Sequence, residues 1–102
     1  MKISKLIVTP VATHDQPLLN STGVHESYRV RTIVQIETTD GYTGAGETSS
    51  DRTIDIEANR SWIEGYDPRQ MTKARLLWRG TPEAWAAVET AMLDAAAKQA
   101  GM

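Results

Sequence analysis

Polar and apolar residues alternate with a period of two over the first half of the chain and recur at helical spacing over the second. Ile3, Lys5 and Ile7 alternate with Ser4, Leu6 and Val8, and their β-branched content predicts a first strand running to Pro10 or Ala12. From 28 to 38 the alternation is clearer. Tyr28, Val30, Thr32, Val34 and Ile36 share one face, with Arg29, Arg31, Gln35 and Glu37 on the other beside Ile33. Asp40-Gly41 then marks a hairpin, because the turn needs a residue that accepts positive φ. A third strand follows over 42–47. Its Gly44 and Gly46 predict a bulge or the close approach of another backbone. Between the first two strands lies a long polar excursion containing "NSTGVHESY".

After residue 50 the period changes. Ile54, Ala58 and Trp62 recur every four residues, Asp51 or Thr53 can cap the start, and Gly65 can end that helix. Asp67-Pro68 has the cap-and-proline form of a helix opening, with Met71, Ala74, Leu77 and Trp78 as the apolar face behind it. Thr81-Pro82 repeats the signal after Gly80. The last helix carries Trp85, Val88, Met92 and Ala95 on one stripe and stops at Gly101. Strands followed by helices predict an α+β fold, a three-stranded antiparallel meander followed by a bundle of about three helices.

Composition narrows the chemistry. With 102 residues the chain is one domain, able to bury roughly 60–70% of its unfolded surface. There is no cysteine, which removes disulfides, thiolate nucleophiles and Cys-based zinc sites. The net charge of -2 gives no electrostatic reason to expect nucleic acid or an acidic membrane as a partner. The N-terminal run alternates instead of forming a signal sequence, and no segment approaches the ~20 apolar residues of a membrane span. A cytoplasmic location is the expectation.

Few residues offer chemistry. His14, Asp15, His25 and Glu26 stand at the two ends of the polar loop, but their spacing fits no established metal-ligand pattern. The glycines of "GYTGAG" lack the Gly-Lys-Ser/Thr of a phosphate loop, so Glu47 is expected to serve structure near the first helix. Asp94 and Lys98 have the i,i+4 spacing of a surface ion pair. Trp62, Trp78 and Trp85 are expected to pack. His25 is the sharpest candidate, since an imidazole can donate to, or carry charge against, a polyhydroxy carboxylate under a covering loop.

The stretch "TPVATHDQPLLNSTGVHESYRVRTIVQIETTDGYTGAGET" resembles the N-terminal region of the enolase superfamily, and within it the glucarate dehydratase group (mandelate racemase/muconate lactonizing enzyme-like). "VETAMLDAAAKQAGM" is similar to the end of the same domain, with Glu89, Ala91, Asp94, Lys98 and Gly101 matching its Glu-x-Ala-x-x-Asp-x-x-x-Lys-x-x-Gly pattern. The resemblance covers residues 1 to about 50 and 83 to 102. It implies a single capping domain over 1–102, with a meander over 1–49, a substrate-covering loop over 13–27 and a helical part over 51–102. In that family the cap closes over a (β/α)-barrel holding the Mg2+ ligands and acid/base residues of an acid-sugar dehydratase.

Carried over residue by residue, the resemblance places substrate contacts on His25 and Asn20. It implies no catalytic residue and no metal ligand in this chain. A further family contact, a Thr before the last helix, has no counterpart at matching spacing, although Thr81 lies nearby. The implied function is that of a cap, inactive alone, meeting an acid sugar only when a barrel is supplied, with Mg2+ as the cofactor of the full-length family. The partner implied is a barrel-bearing chain or a second copy. The alternative is a stand-alone, non-enzymatic domain mediating self-association or partner binding, because a cap without its barrel exposes apolar surface.

Overall fold

A computed structural model describes the backbone of residues 1–14, 19–20, 23–24 and 28–102, and the side chains of residues 1–12 and 30–102. Strands β1 (Ile3–His14), β2 (Leu19–Asn20), β3 (Gly23–Val24), β4 (Tyr28–Thr38) and β5 (Thr43–Ser49) precede helices α1 (Thr53–Glu57), α2 (Arg60–Ile63), α3 (Met71–Leu77) and α4 (Pro82–Gln99). Antiparallel β1, β4 and β5 form one sheet in that order, and β2 pairs with β3 as a separate short ribbon. The α+β meander followed by helices is as the sequence predicts, with four helical segments in place of about three.

β1 runs two residues beyond its expected end because the ladder to β4 continues to His14 opposite Tyr28. Its alternation is not simple. The register shifts between Ile3 and Lys5, a bulge that resets the pleat and puts Ile3 and Leu6 together in the core despite their odd separation. On β4, Thr32, Val34, Ile36 and Thr38 are buried, whereas Val30 is exposed near the strand's start. Thr38 Oγ1 accepts from the Tyr42 N–H at 2.9 Å and donates to its carbonyl, closing the hairpin, and Gly41 takes φ +89° in the turn as expected.

α4 lies across the inner face of β5 and reaches β4 beyond it. Ala84, Ala87, Ala91 and Ala95 are fully buried, and they let the helix backbone settle directly on the strand. A Cβ added at Gly44 would land on the Ala91 carbonyl, and one at Gly46 on the Ala87 carbonyl. The two glycines therefore serve close backbone approach, one of the two roles expected of them. Val88 and Met92 join Leu6, Val34, Ile36, Ile56 and Ile63 in the core.

The first predicted helix is two short ones. The expected stripe of Ile54, Ala58 and Trp62 is not the buried face: Ile54 is 86% exposed and Ala58 is exposed, while Ile56, Asn59 and Ile63 point inward. The reason is Asn59, whose side chain occupies the interior and binds across to another segment, interrupting α1–α2 at 58–59. Gly65 ends α2 at φ +97°, as predicted. Asp67-Pro68 does not open a helix. The Asp67 carboxylate accepts from the Arg69 N–H at 2.9 Å and pairs with its guanidinium at 2.8 Å, closing a turn on itself, and α3 starts only at Met71. Thr81 and Pro82 do open α4 as predicted, with the Thr81 hydroxyl accepting from the Ala84 N–H at 3.3 Å.

The glycine contact makes a direct prediction. Gly46→Ala should destabilise the domain by about 1–3 kcal/mol through overpacking against the α4 backbone. The thermal midpoint followed by circular dichroism should drop about 4–8 °C for each kcal/mol lost.

Candidate functional site

The long polar excursion contains the short ribbon of β2 and β3, separate from the three-stranded sheet. Beyond the β1–β4 ladder, Leu19 and Asn20 pair with Val24 and Gly23. Asn20 thus stands in β2 by its backbone, and its side chain lies outside the described residues. His25 also lies outside them, as do Asp15 and Glu26. His14 ends β1 opposite Tyr28.

The remaining predicted residues have definite places. Glu47 is not at the first helix. It sits on the outer face of the sheet and pairs with Arg31 on β4 at 3.0 Å, because the antiparallel register sets Glu47 opposite Ile33 and so diagonal to Arg31 on the same face. Of the glycines before it, Gly44 and Gly46 lie inside β5 and Gly41 makes the hairpin turn, so they form no phosphate-binding loop. Trp85 is buried, and Trp62 and Trp78 pack partly buried against the core. Trp62 meets Tyr66 edge-on at 5.3 Å, and Trp78 lies 5.6 Å from Trp85. They are packing residues.

Asp94 and Lys98 do more than neutralise each other at 3.2 Å. Asp94 Oδ2 accepts from the Ala45 N–H at 3.0 Å, and Lys98 Nζ donates to the Thr43 carbonyl at 3.0 Å. Both backbone groups point away from β4, on the free edge of β5. The Ala45 N–H, then Lys98, hold the Asp94 carboxyl below its ordinary range. The matched pattern on the last helix thereby acquires a geometry: Ala91 lies against Gly44, and Asp94 and Lys98 grip the strand edge.

The opposite edge has a matching device that the sequence did not announce. Glu64 Oε2 accepts from the Leu6 N–H at 3.0 Å, and Arg60 Nη1 donates to the Leu6 carbonyl and to Glu64. Arg60 also forks onto Glu57 at 2.7 Å, which lowers that carboxyl's pKa and raises its own. The only signal in the sequence is the i,i+4 spacing, which many exposed pairs share.

A buried polar hub ties the helices together. Asn59 Nδ2 donates to the carbonyls of Asp55 and Arg79, both at 2.8 Å, and its Oδ1 accepts from Trp62 Nε1 and the Arg79 N–H. Asp55 Oδ2 accepts from the Thr81 hydroxyl at 2.8 Å and from its N–H at 3.1 Å. Those two bonds lower the Asp55 pKa. Thr81 is thus occupied twice, as the cap of α4 and as a partner of Asp55, and its hydroxyl has a structural task.

No group of three or more potential metal ligands exists among the described residues. The carboxylates of Asp55, Asp94, Glu57 and Asp67 are each held by N–H or guanidinium donors of the domain itself, an arrangement that does not fit a magnesium site. Among the described residues no helix is long and apolar enough to cross a membrane.

Two predictions follow from this geometry. Asn59→Ala leaves four partners to be satisfied by other means and should cost about 2 kcal/mol or more in chemical denaturation. The carboxyls of Asp55, Asp94, Asp67 and Glu57 have lowered folded pKa values against ordinary values of 3.8 for the aspartates and 4.5 for the glutamate. Their contribution is present in full above those ordinary values and is lost as pH falls through the folded ones. Thermal midpoints should accordingly decline below about pH 4, and Asp94→Asn should flatten part of that decline.

No family model matches the chain. It is 49% identical over 51 residues, half of its own length, to a Streptomyces coelicolor protein named "Probable glucarate dehydratase", of which the match covers 12%. In structure it is similar to an enolase from Pseudomonas fluorescens Pf0-1 with bound magnesium, potassium and tartrate, with a TM-score of 0.82 and 29% identity over 97% of this chain and 29% of that one. It is also similar to a dipeptide epimerase from Enterococcus faecalis V583 complexed with magnesium and the dipeptide L-Leu-L-Tyr, with a TM-score of 0.79 and 25% identity over 98% of this chain and 32% of that one. The chain spans about a third or less of the length of each of these proteins. Its three antiparallel strands and the helices behind them match the fold of these enolase-superfamily structures, and over half of its length its sequence resembles the glucarate dehydratase relative, as an N-terminal domain of that superfamily would.

Proposed function

We infer that the chain is the capping domain of a magnesium-dependent acid-sugar dehydratase of the glucarate dehydratase kind. The observation that supports this reading is the 49% identity over 51 residues to a protein named "Probable glucarate dehydratase", which favours that chemistry over the one of the dipeptide epimerase with a similar fold. The cap supplies the covering loop of residues 13–27. His25 and Asn20 meet the sugar hydroxyls and carboxylate from above and exclude water from the site. The magnesium ligands and the residues that move the proton belong to a barrel, on the same polypeptide or on a partner. The metal, when bound there, stabilises the enediolate formed next to the substrate carboxylate.

The domain is built to hold such a loop in place. β1 and β4 are long, 12 and 11 residues, and beyond the bulge their ladder runs in one register from Lys5 to His14, opposite Tyr28. The loop therefore leaves a stiff two-stranded stalk rooted in the core at Leu6, Val34 and Ile36. A second reading, a domain that self-associates without catalysis, is favoured by the exposure of Ile54 and Leu76, at 86% and 83%. A barrel would equally cover such residues.

The deciding measurement is dehydration of hexaric acids in the presence of Mg2+ by this chain joined to, or mixed with, a glucarate dehydratase barrel. Activity should appear only with the barrel. His25→Ala should lower kcat/KM roughly 10- to 100-fold, the loss of about 1.4–2.8 kcal/mol of transition-state binding. Silence of the wild-type combination, with a self-associated chain in sedimentation, would favour the second reading.

A further inference from the structure

Both edges of the sheet are occupied by charged side chains from helices, but not to the same extent. The bonds to Leu6 place the polar groups of even-numbered β1 residues on the outer edge, since backbone groups alternate in direction along a strand. That edge is guarded three times. Arg60 and Glu64 take both groups of Leu6. The Ile3 N–H donates to the Tyr66 carbonyl and the Ile3 carbonyl accepts from the Gly65 N–H, each at 2.7 Å. Pro10 has no N–H to offer.

The edge of β5 is guarded once. By the same alternation its outward groups belong to Thr43, Ala45, Glu47 and Ser49. Asp94 and Lys98 hold the first two, and among the described residues no helix side chain binds the backbone of the last two. An edge strand with free groups is a template for pairing with another chain.

We propose that Asp94 and Lys98 are a strand guard: by occupying the Ala45 N–H and the Thr43 carbonyl they stop β5 from pairing with β5 of a second copy. The register that such pairing would take follows from the same residues. A two-fold axis at Ala45 sets Ala45 opposite its own equivalent, each donating its N–H to the other's carbonyl, and sets Thr43 opposite Glu47. No like charges meet in that register. Centring it instead on Glu47 would oppose two carboxylates, which disfavours it. The N–H needed at the centre is the one that Asp94 covers. The pattern on the last helix thus has a role in keeping copies apart, in addition to its contribution to stability.

Asp94→Ala/Lys98→Ala should raise the mass measured by sedimentation velocity about two-fold relative to the wild-type chain as protein concentration increases. Adding Ala45→Lys, which places two ammonium groups opposite each other at the proposed axis, should restore the wild-type mass. Arg60→Ala/Glu64→Ala should lower the melting temperature but leave the mass as in wild type, because the β1 edge keeps Gly65, Tyr66 and Pro10. An unchanged mass in the Asp94/Lys98 variant, association that Ala45→Lys does not reverse, or equal association of both double variants would each overturn the proposal. Should the Asp94/Lys98 variant fail to fold, Asp94→Ala alone frees the Ala45 N–H while Lys98 stays on the Thr43 carbonyl. It should associate in the same direction but more weakly, and a wild-type mass for it would be equally fatal.

Discussion

The structure depends on the approach of one helix backbone to one strand backbone. Gly44 and Gly46 offer no Cβ, and Ala87, Ala91 and Ala95 offer only a methyl each, so α4 rests on β5 with almost no side chain between them. At that distance the short carboxylate of Asp94 can reach past the helix to the edge of the strand, and Lys98 can reach Thr43 from the next turn. Val88 and Met92 meanwhile fill the space over Val34 and Ile36. A larger residue at either glycine would lift the helix and weaken the core and the edge contacts together.

A second constraint fixes the helices behind the sheet. They are short, at five, four and seven residues, and such helices have little stability of their own. What holds them is the Asn59 hub, which joins the α1–α2 turn to Arg79, and Asp55, which joins α1 to the cap of α4. All four hydrogen bonds of the buried amide are made, so a polar side chain in the interior specifies a unique packing at low cost. The edge pairs use charge in the same economical way. Each satisfies backbone groups that would otherwise stand free, and so does more than an exposed ion pair of the same spacing.

Much of this was legible beforehand, and the failures share one cause. The long alternation of β4, the Asp40-Gly41 turn and the Thr81-Pro82 opening were read correctly because each rests on local backbone preference. The glycines of β5 announced either a bulge or a close approach, and the second is what the structure has. Where a local signal had two uses, the wrong one was sometimes favoured. Asp67-Pro68 closes a turn with Arg69, although the same dipeptide often opens a helix. Ile54, Ala58 and Trp62 have helical spacing, yet a buried Asn moved the inward face to Ile56 and Ile63. In β1 a bulge changed which residues share a face, and bulges leave no trace in a hydrophobic pattern.

By itself, then, the sequence determined the order and kind of most elements, the positions of the principal turns, and through two matched stretches the resemblance to the superfamily. These depend on φ preferences, periodicity and motif, which neighbours in sequence decide. The tertiary structure alone decided the work of the charged residues. Of three acid–base pairs, Asp94 with Lys98 and Arg60 with Glu64 share the i,i+4 spacing, whereas Glu47 and Arg31 stand 16 residues apart. Two of them seal strand edges and the third lies across the face of the sheet. Spacing along a chain fixes which side chains can meet each other; which backbone group waits beyond them is set only when a helix and a strand far apart in sequence come into contact.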